Sequence, residues 1–183
     1  MGTGINERSI YFKIQAILGC ALSEKNRIGS LEHLHEAVAR SRSPAFTYFR
    51  AHRVKGSELV ACSEGLIQAR VNLCVELGLV DSATGQLSKH GRDAMRKQSF
   101  GQVISRRVRA YLENKGFRLD LLKSPGRMAG NTFWLPTAVT LYEQGRVTLP
   151  FDDFRRLLNL LVECDSLQAI QSRLFLPPNT YEK

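Results

Sequence analysis

Apolar residues recur at spacings of three and four from the start of the chain. Ile10, Ile14, Ile17, Leu18 and Ala21 share one face of a helix expected over residues 7–22. The polar stretch 23–30 ends it, and Ser30 is placed to cap a second helix, residues 31–40, with Leu34, Ala37 and Val38 as its buried stripe. Ser43 followed by Pro44 is a capping residue with proline at the first helical position. It predicts a third helix, residues 44–54, carrying Phe46, Tyr48 and Phe49. Lys55 and Gly56 break the chain, and Ser57 or Ser63 caps further helical material that runs to Leu77. There the apolar residues crowd most of the circumference and leave only a polar stripe of Glu64, Gln68, Asn72 and Glu76.

Gly78 is a good left-handed stop. A short turn comes next, and Ser88 restarts a helix over residues 89–97. Beyond it the pattern predicts a helix at 103–114 closed by Gly116, and an alternating half-buried strand at 117–122. Next come a proline- and glycine-bearing basic loop at 123–131, a short strand at 132–136, a helix at 136–143 and an extended stretch at 146–150. A helix opened by Asp152 or Asp153 runs into Cys164, its first-turn acids favourably placed on the helix dipole. A final strand at 169–178 ends in two prolines.

The turn after Gly78 carries the most specific pattern. Leu77, Gly78, Leu79 and Val80 lead into "DSATGQ", then Leu87, Ser88, Gly91 and Arg92 enter the next helix. Val80 and Leu87 pair across the turn, and Ser88 caps the helix after it. Over residues 56–97 this arrangement resembles the winged helix-turn-helix superfamily. The resemblance implies a recognition helix ending near Leu77 and a two-stranded wing, with DNA as the usual partner of such a fold. Two features of this chain depart from that pattern. The wing is short and has no Arg or Lys at its tip. Residues 56–85 hold Arg70 against Glu58, Glu64, Glu76 and Asp81, a net of −3, so phosphates repel the helix unless Gln68 and Asn72 read bases at close range.

Charge changes the picture most. Across 183 residues Lys and Arg number 26 against 17 Asp and Glu, a formal net charge of +9 and a sequence pI near 9.7. Such a surface attracts polyanions. The excess is segregated. Arg40, Arg42, Arg50, Arg53 and Lys55 have no acid among them, and His52 lies nearby. Between residues 89 and 127 there are eleven basic residues against Asp93, Glu113 and Asp120. The remainder of the chain is therefore net negative. On the 103–114 helix, Arg106 and Arg109 are three apart and share a face, with Arg107 beside them. Candidate phosphate contacts are accordingly Arg50, Arg53, Lys89, Arg92, Arg96, Lys97, Arg106, Arg107 and Arg109, and the candidate base readers are Gln68 and Asn72.

Other chemistries find less support. A hydrophobic fraction of 43% and a charged fraction of 23% belong to a folded chain. No segment approaches the ~18–20 consecutive apolar residues of a membrane span. The N-terminal residues lack a basic region followed by an apolar stretch, and Asn6 stands where a myristoylation pattern wants Ser or Thr, so neither export nor lipidation is expected. Cys20, Cys62, Cys74 and Cys164 form no C-x-x-C pair and lie among apolar neighbours, as small buried hydrophobes in a reducing cytoplasm. His33 and His35 alternate with Glu32 and Glu36, but helical residues two apart point to different faces, so no metal site is expected. Asp152, Asp153, Glu163 and Asp165 lack the acid-x-Lys of a nuclease strand, and no phosphate-binding glycine loop or nucleophile motif is present.

The sequence thus predicts a mainly α fold with short β-strands. A helical and winged-helix domain is expected over residues 1–98, its winged helix at 31–97. A smaller α+β region is expected over 99–183, whose helix-turn-strand order at its end matches either a second degenerate winged helix or a dimerisation element. The expected function is non-catalytic binding of double-stranded DNA without a cofactor, as a transcriptional regulator or an accessory subunit of a DNA-handling complex. The alternatives are an RNA-binding module, or a protein-interaction subunit that forms a homodimer or larger complex through residues 151–176. No membrane partner is expected.

Overall fold

The computed structural model describes residues 10–52, 56–96, 100–116, 143–146, 156–157 and 160–161. The chain divides into two compact units, Met1–Lys97 and Gln98–Lys183. The described residues are mainly helical, with little strand.

In the first unit, α1 (Ile10–Ser23) and α2 (Leu31–Arg40) lead to a single 3-10 turn, Pro44–Phe46. Strands β1 (Thr47–His52) and β2 (Gly56–Ala61) come next, then α3 (Glu64–Glu76) and the short α4 (Lys89–Ala94). Helices α1, α2 and α3 pack mutually, and the 3-10 turn packs on α1. The spacing-of-three-and-four pattern explains why: Ile14, Ile17 and Leu18 of α1, Leu34 of α2 and Leu73 of α3 are all at most 1% exposed. Each such side chain taken from water contributes about 1.5–3 kcal/mol.

Serine caps set the helix starts. The Oγ atoms of Ser30, Ser63 and Ser88 accept from the backbone N–H groups of His33 (3.2 Å), Leu66 (3.3 Å) and Gly91 (3.1 Å). Each satisfies one of the donors that a helix start leaves unpaired, and is worth about 1 kcal/mol. Gly78, at φ 70°, turns the chain out of α3. The exposed stripe Glu64, Gln68, Asn72 and Glu76 lies along α3 as its spacing predicts.

The helix expected at 44–54 does not form. Ser43 does cap, accepting from Ala45 N–H at 3.3 Å, but the turn it starts lasts three residues. The chain then extends and pairs antiparallel with β2, from Thr47 opposite Ala61 to His52 opposite Gly56. This also corrects the helical reading of the stretch after Gly56. Thr47, Tyr48 and Phe49 favour a pleated strand, as do Leu59 and Val60 opposite them. A partner strand three residues away pairs those of their backbone groups that point toward it. Gly56, at φ 82°, adopts the left-handed conformation as the second strand begins. Phe46 is buried, 2% exposed, as a core residue. The ammonium of Lys13, itself buried on α1, lies 5.9 Å from its ring centroid.

In the second unit, α5 (Phe100–Asn114) begins three residues earlier than expected. It buries Val103, Ile104, Val108, Tyr111 and Leu112. Gly116, at φ 87°, comes just after it. Leu157, Leu160 and Leu161 are helical and at most 2% exposed. The strands expected at 117–122, 132–136 and 169–178 and the basic loop at 123–131 lie outside the described residues, as does most of the helix expected from Asp152. No described helix is long and apolar enough to cross a membrane.

Candidate nucleic-acid interface

The turn expected to form a wing is a single antiparallel bridge, Val80 to Leu87. Asp81 organises it. Its Oδ1 accepts from Ala83 N–H (3.0 Å), Thr84 N–H (2.9 Å) and Thr84 Oγ1–H (3.0 Å). These hydrogen bonds, chiefly those from Thr84, hold the exposed carboxyl below its ordinary range. Asp81 N–H donates to Gln86 O, and Gly85 N–H to Asp81 O, both at 2.9 Å. Ser88 closes the base, its N–H donating to Leu79 O at 3.0 Å and its hydroxyl to Gly78 O at 2.6 Å.

This turn is tied to the rest of its unit. The Gln86 side-chain amide donates to the carbonyls of both Lys25 and Ile28, in the connection between α1 and α2. Gly85 lies against the Ser30 carbonyl. A short turn, uncharged at its tip and bonded to a neighbouring loop, has little freedom to follow a groove. Nothing in the spacing of residues 81–86 signals this attachment, because the partners of Gln86 lie about sixty positions away and are backbone atoms.

The candidate cations fall into three sets. Lys89, Arg92 and Arg96 lie on α4 and just past its end. Arg92 is exposed but donates one guanidinium N–H to Leu87 O at 2.8 Å, bracing the bridged turn. Arg96 pairs with Asp93 at 3.4 Å on the surface, an interaction of small worth. Helix α4 stops at Ala94, short of the expected Lys97, which lies outside the described residues. On α5, Arg106 is exposed, and Arg107 and Arg109 are half-buried. Arg50 occupies the middle of β1, opposite Glu58, and Arg53 lies outside the described residues. Arg70, the one cation counted against the acids of residues 56–85, is buried at 4% exposure.

Gln68 and Asn72 are exposed on α3, but their surroundings are acidic. Gln68 shares a groove of about 530 Å³ with Glu32, His35 and Glu36 of α2 and Glu64 and Ile67 of α3. Three carboxylates at its rim repel a phosphate backbone. Within the groove, His35 Nε2 is buried without a hydrogen-bond partner. Burial lowers the affinity of this ring for a proton, with nearby Glu32 opposing the shift. Among the described residues, no group of three or more His, Cys, Asp and Glu side chains is placed to hold a metal ion. Burial pushes the Cys74 thiol up to about 12, which makes it inert, and Cys20 is raised for the same reason.

His35 makes stability depend on pH. Its proton is held less firmly in the folded chain than in the unfolded one, so the unfolded state takes up the proton first as pH falls through about 6.5. Stability from this group is therefore unaffected above that pH and declines below it. Urea midpoints measured at about pH 7.5 and about pH 5.5 should show a loss on acidification that His35→Gln reduces. An equal loss in wild type and variant would remove His35 as the cause.

Comparison with family models, with curated proteins and with solved structures found no match to this chain.

Proposed function

We propose that this protein binds double-stranded DNA without catalysing a reaction, through a winged-helix-like first unit and a basic helix in the second. It would act as a regulator of transcription or as an accessory subunit of a DNA-handling assembly. The observation that carries this reading is the segregation of positive charge. Five cations between residues 40 and 55 have no acid among them, and eleven between 89 and 127 face only three. A field concentrated in this way attracts a polyanion far more strongly than the same charge dispersed. The mutual packing of α1, α2 and α3, together with a bridged turn and a serine-capped helix, supports the winged-helix part. On α5, exposed Arg106 and half-buried Arg109 share the side away from Ile104 and Val108, whereas Arg107 falls in the arc between Val103 and Tyr111, so the helix can present Arg106 and Arg109 while its other face is buried.

The test is a titration of duplex DNA at several salt concentrations, with wild type and the Arg106/Arg107/Arg109→Ala variant. Each phosphate contact removed should lower the slope of log affinity against log salt by about 0.9. An unchanged slope in a folded variant would take α5 out of the interface. Absence of binding by wild type at low salt would end the DNA reading. It would favour instead a protein-interaction subunit, for which the acidic stripe of α3 and the tethered turn speak.

A further inference from the structure

We infer that the outward face of α1 pairs with the same face of a second copy of this chain, the two helices antiparallel about a two-fold axis. This goes beyond the DNA reading and does not depend on it.

Helix α1 lacks the charged side that a surface helix ordinarily turns to water. Its one charged residue, Lys13, is buried at 4% exposure. Helical spacing leaves Phe12, Gln15, Ala16, Gly19, Leu22 and Ser23 on the side away from buried Ile10, Ile14, Ile17 and Ala21. All six are exposed or half-buried, and none carries a charge. Phe12 is 57% exposed and Leu22 is 45% exposed. Burying such a side chain fully is worth about 1.5–3 kcal/mol relative to leaving it in water. Helices α2, α3 and α5 differ, because each turns charge outward: Glu32 and Glu36, Glu64 and Glu76, Arg106 and Glu113 are all exposed.

Charge decides what covers this face. Two copies of a chain with a formal net charge of +9 repel. A two-fold contact sets a patch against itself, so each charge in the patch approaches its own copy. The charged faces of α2, α3 and α5 are penalised in that arrangement, whereas the α1 face has nothing to repel. The same neutrality gives a polyanion nothing to hold.

Shape agrees with self-pairing. Ala16 and Gly19 are small and lie between Phe12 and Leu22, so two helix axes can approach closely at the centre. Half-buried Met95 borders that centre, its Cε 3.8 Å from where a Cβ on Gly19 would stand. Its flexible thioether adapts to a packed partner. Phe12 and Leu22 are separated by about 15 Å along the axis. Antiparallel pairing therefore brings the Phe12 end of each copy against the Leu22 end of the other. A helix of 14 residues spans about 21 Å, a face small enough that the dimer should dissociate on dilution.

The experiment is sedimentation velocity of the full chain, freed of nucleic acid, over about a hundredfold range of concentration. Wild type should pass from monomer to dimer as concentration rises, and added salt should tighten the dimer by screening the repulsion. Phe12→Glu and Leu22→Lys, each alone, should raise the dissociation constant about tenfold or more, since each buries an unpaired charge. Circular dichroism should show both variants folded, because both sites are exposed. Mixed in equal amounts, the two variants should dimerise again. Antiparallel pairing sets the new carboxylate of one copy beside the new ammonium of the other, and leaves a native Phe12–Leu22 contact at the opposite end. Asn72→Glu, which adds a charge to α3, should change nothing. A wild type that stays monomeric would overturn the inference, as would a dimer that both single variants leave intact. Failure of the mixture to recover would overturn the antiparallel two-fold pairing. Duplex-DNA binding is read separately by the salt titration, so either reading can fail while the other stands.

Discussion

Replacing Gly91 with alanine should destabilise the first unit by about 2 kcal/mol net, although the residue lies in the third position of a helix. Ordinary propensity argues the other way: alanine is better than glycine inside a helix by about 1 kcal/mol, chiefly because it restricts the unfolded chain. Packing decides. A Cβ at Gly91 would overlap the Leu79 carbonyl oxygen, and would come within 3.2 Å of the Leu79 carbonyl carbon and 3.1 Å of Leu87 Cδ2. The obstructing oxygen is backbone, and it already accepts from Ser88 N–H. It cannot turn aside without opening the base of the bridged turn. Either α4 moves away from Leu79 or the Ser88 bonds to Gly78 and Leu79 stretch, and both undo the same junction. Thermal melting should show the midpoint lowered by roughly 10 °C. The control is Gly65→Ala in α3, where nothing lies within 4 Å of the added methyl; it should be neutral or slightly stabilising. Equal behaviour of the two variants would refute the close packing of α4 on Leu79.

Gly85→Ala should cost a comparable amount for two reasons that add. The residue is at φ 67°, where a side chain costs about 1–2 kcal/mol. A Cβ there would also overlap the Ser30 carbonyl oxygen, with the carbonyl carbon at 2.8 Å and Ile28 Cγ2 at 3.0 Å. Overpacking of this kind costs about 1–3 kcal/mol, so the combined loss is about 3 kcal/mol. The consequence differs from that at Gly91. The strain acts where the turn meets the α1–α2 connection, so Gln86 should release Lys25 and Ile28. Amide hydrogen exchange of the 81–88 segment should accelerate before global unfolding does. Gln86→Ala would remove the same tether without backbone strain, and should reproduce the faster exchange with a smaller fall in stability. If Gly85→Ala lowered stability but left exchange in the turn unchanged, the turn would not be held by this contact.

These two glycines also show how far the sequence could be read. Gly78 was legible because its role is local: a left-handed residue after an apolar helix ends it, wherever the chain goes next. Ser30, Ser63 and Ser88 were legible for the same reason, since a cap is a bond across three residues. The apolar faces of α1 and α2 and the polar stripe of α3 come from periodicity alone. The Val80–Leu87 bridge was visible as two apolar residues flanking a turn. The failure at 44–54 is instructive because the local signal was real. Ser43 caps and Pro44 starts a turn, as their chemistry requires, but Phe46, Tyr48 and Phe49 suit a strand as well as a helix. The decision belonged to β2, which pairs with Thr47–His52 along its whole length.

The candidate interface divides in the same way. Segregated charge, the acidic character of α3 and the common face of Arg106 and Arg109 are properties of composition and helical period, so residue order alone dictates them. That Arg70 is buried, that Gln86 pins the short turn and that Gln68 borders an acidic groove are settled by the fold and by nothing shorter in range. Each depends on atoms that other elements bring near, many of them backbone carbonyls whose positions carry no residue signature. Short-range hydrogen bonds and periodic burial are written in the order of the residues, whereas what a side chain meets across the fold is set only when the helices close on one another.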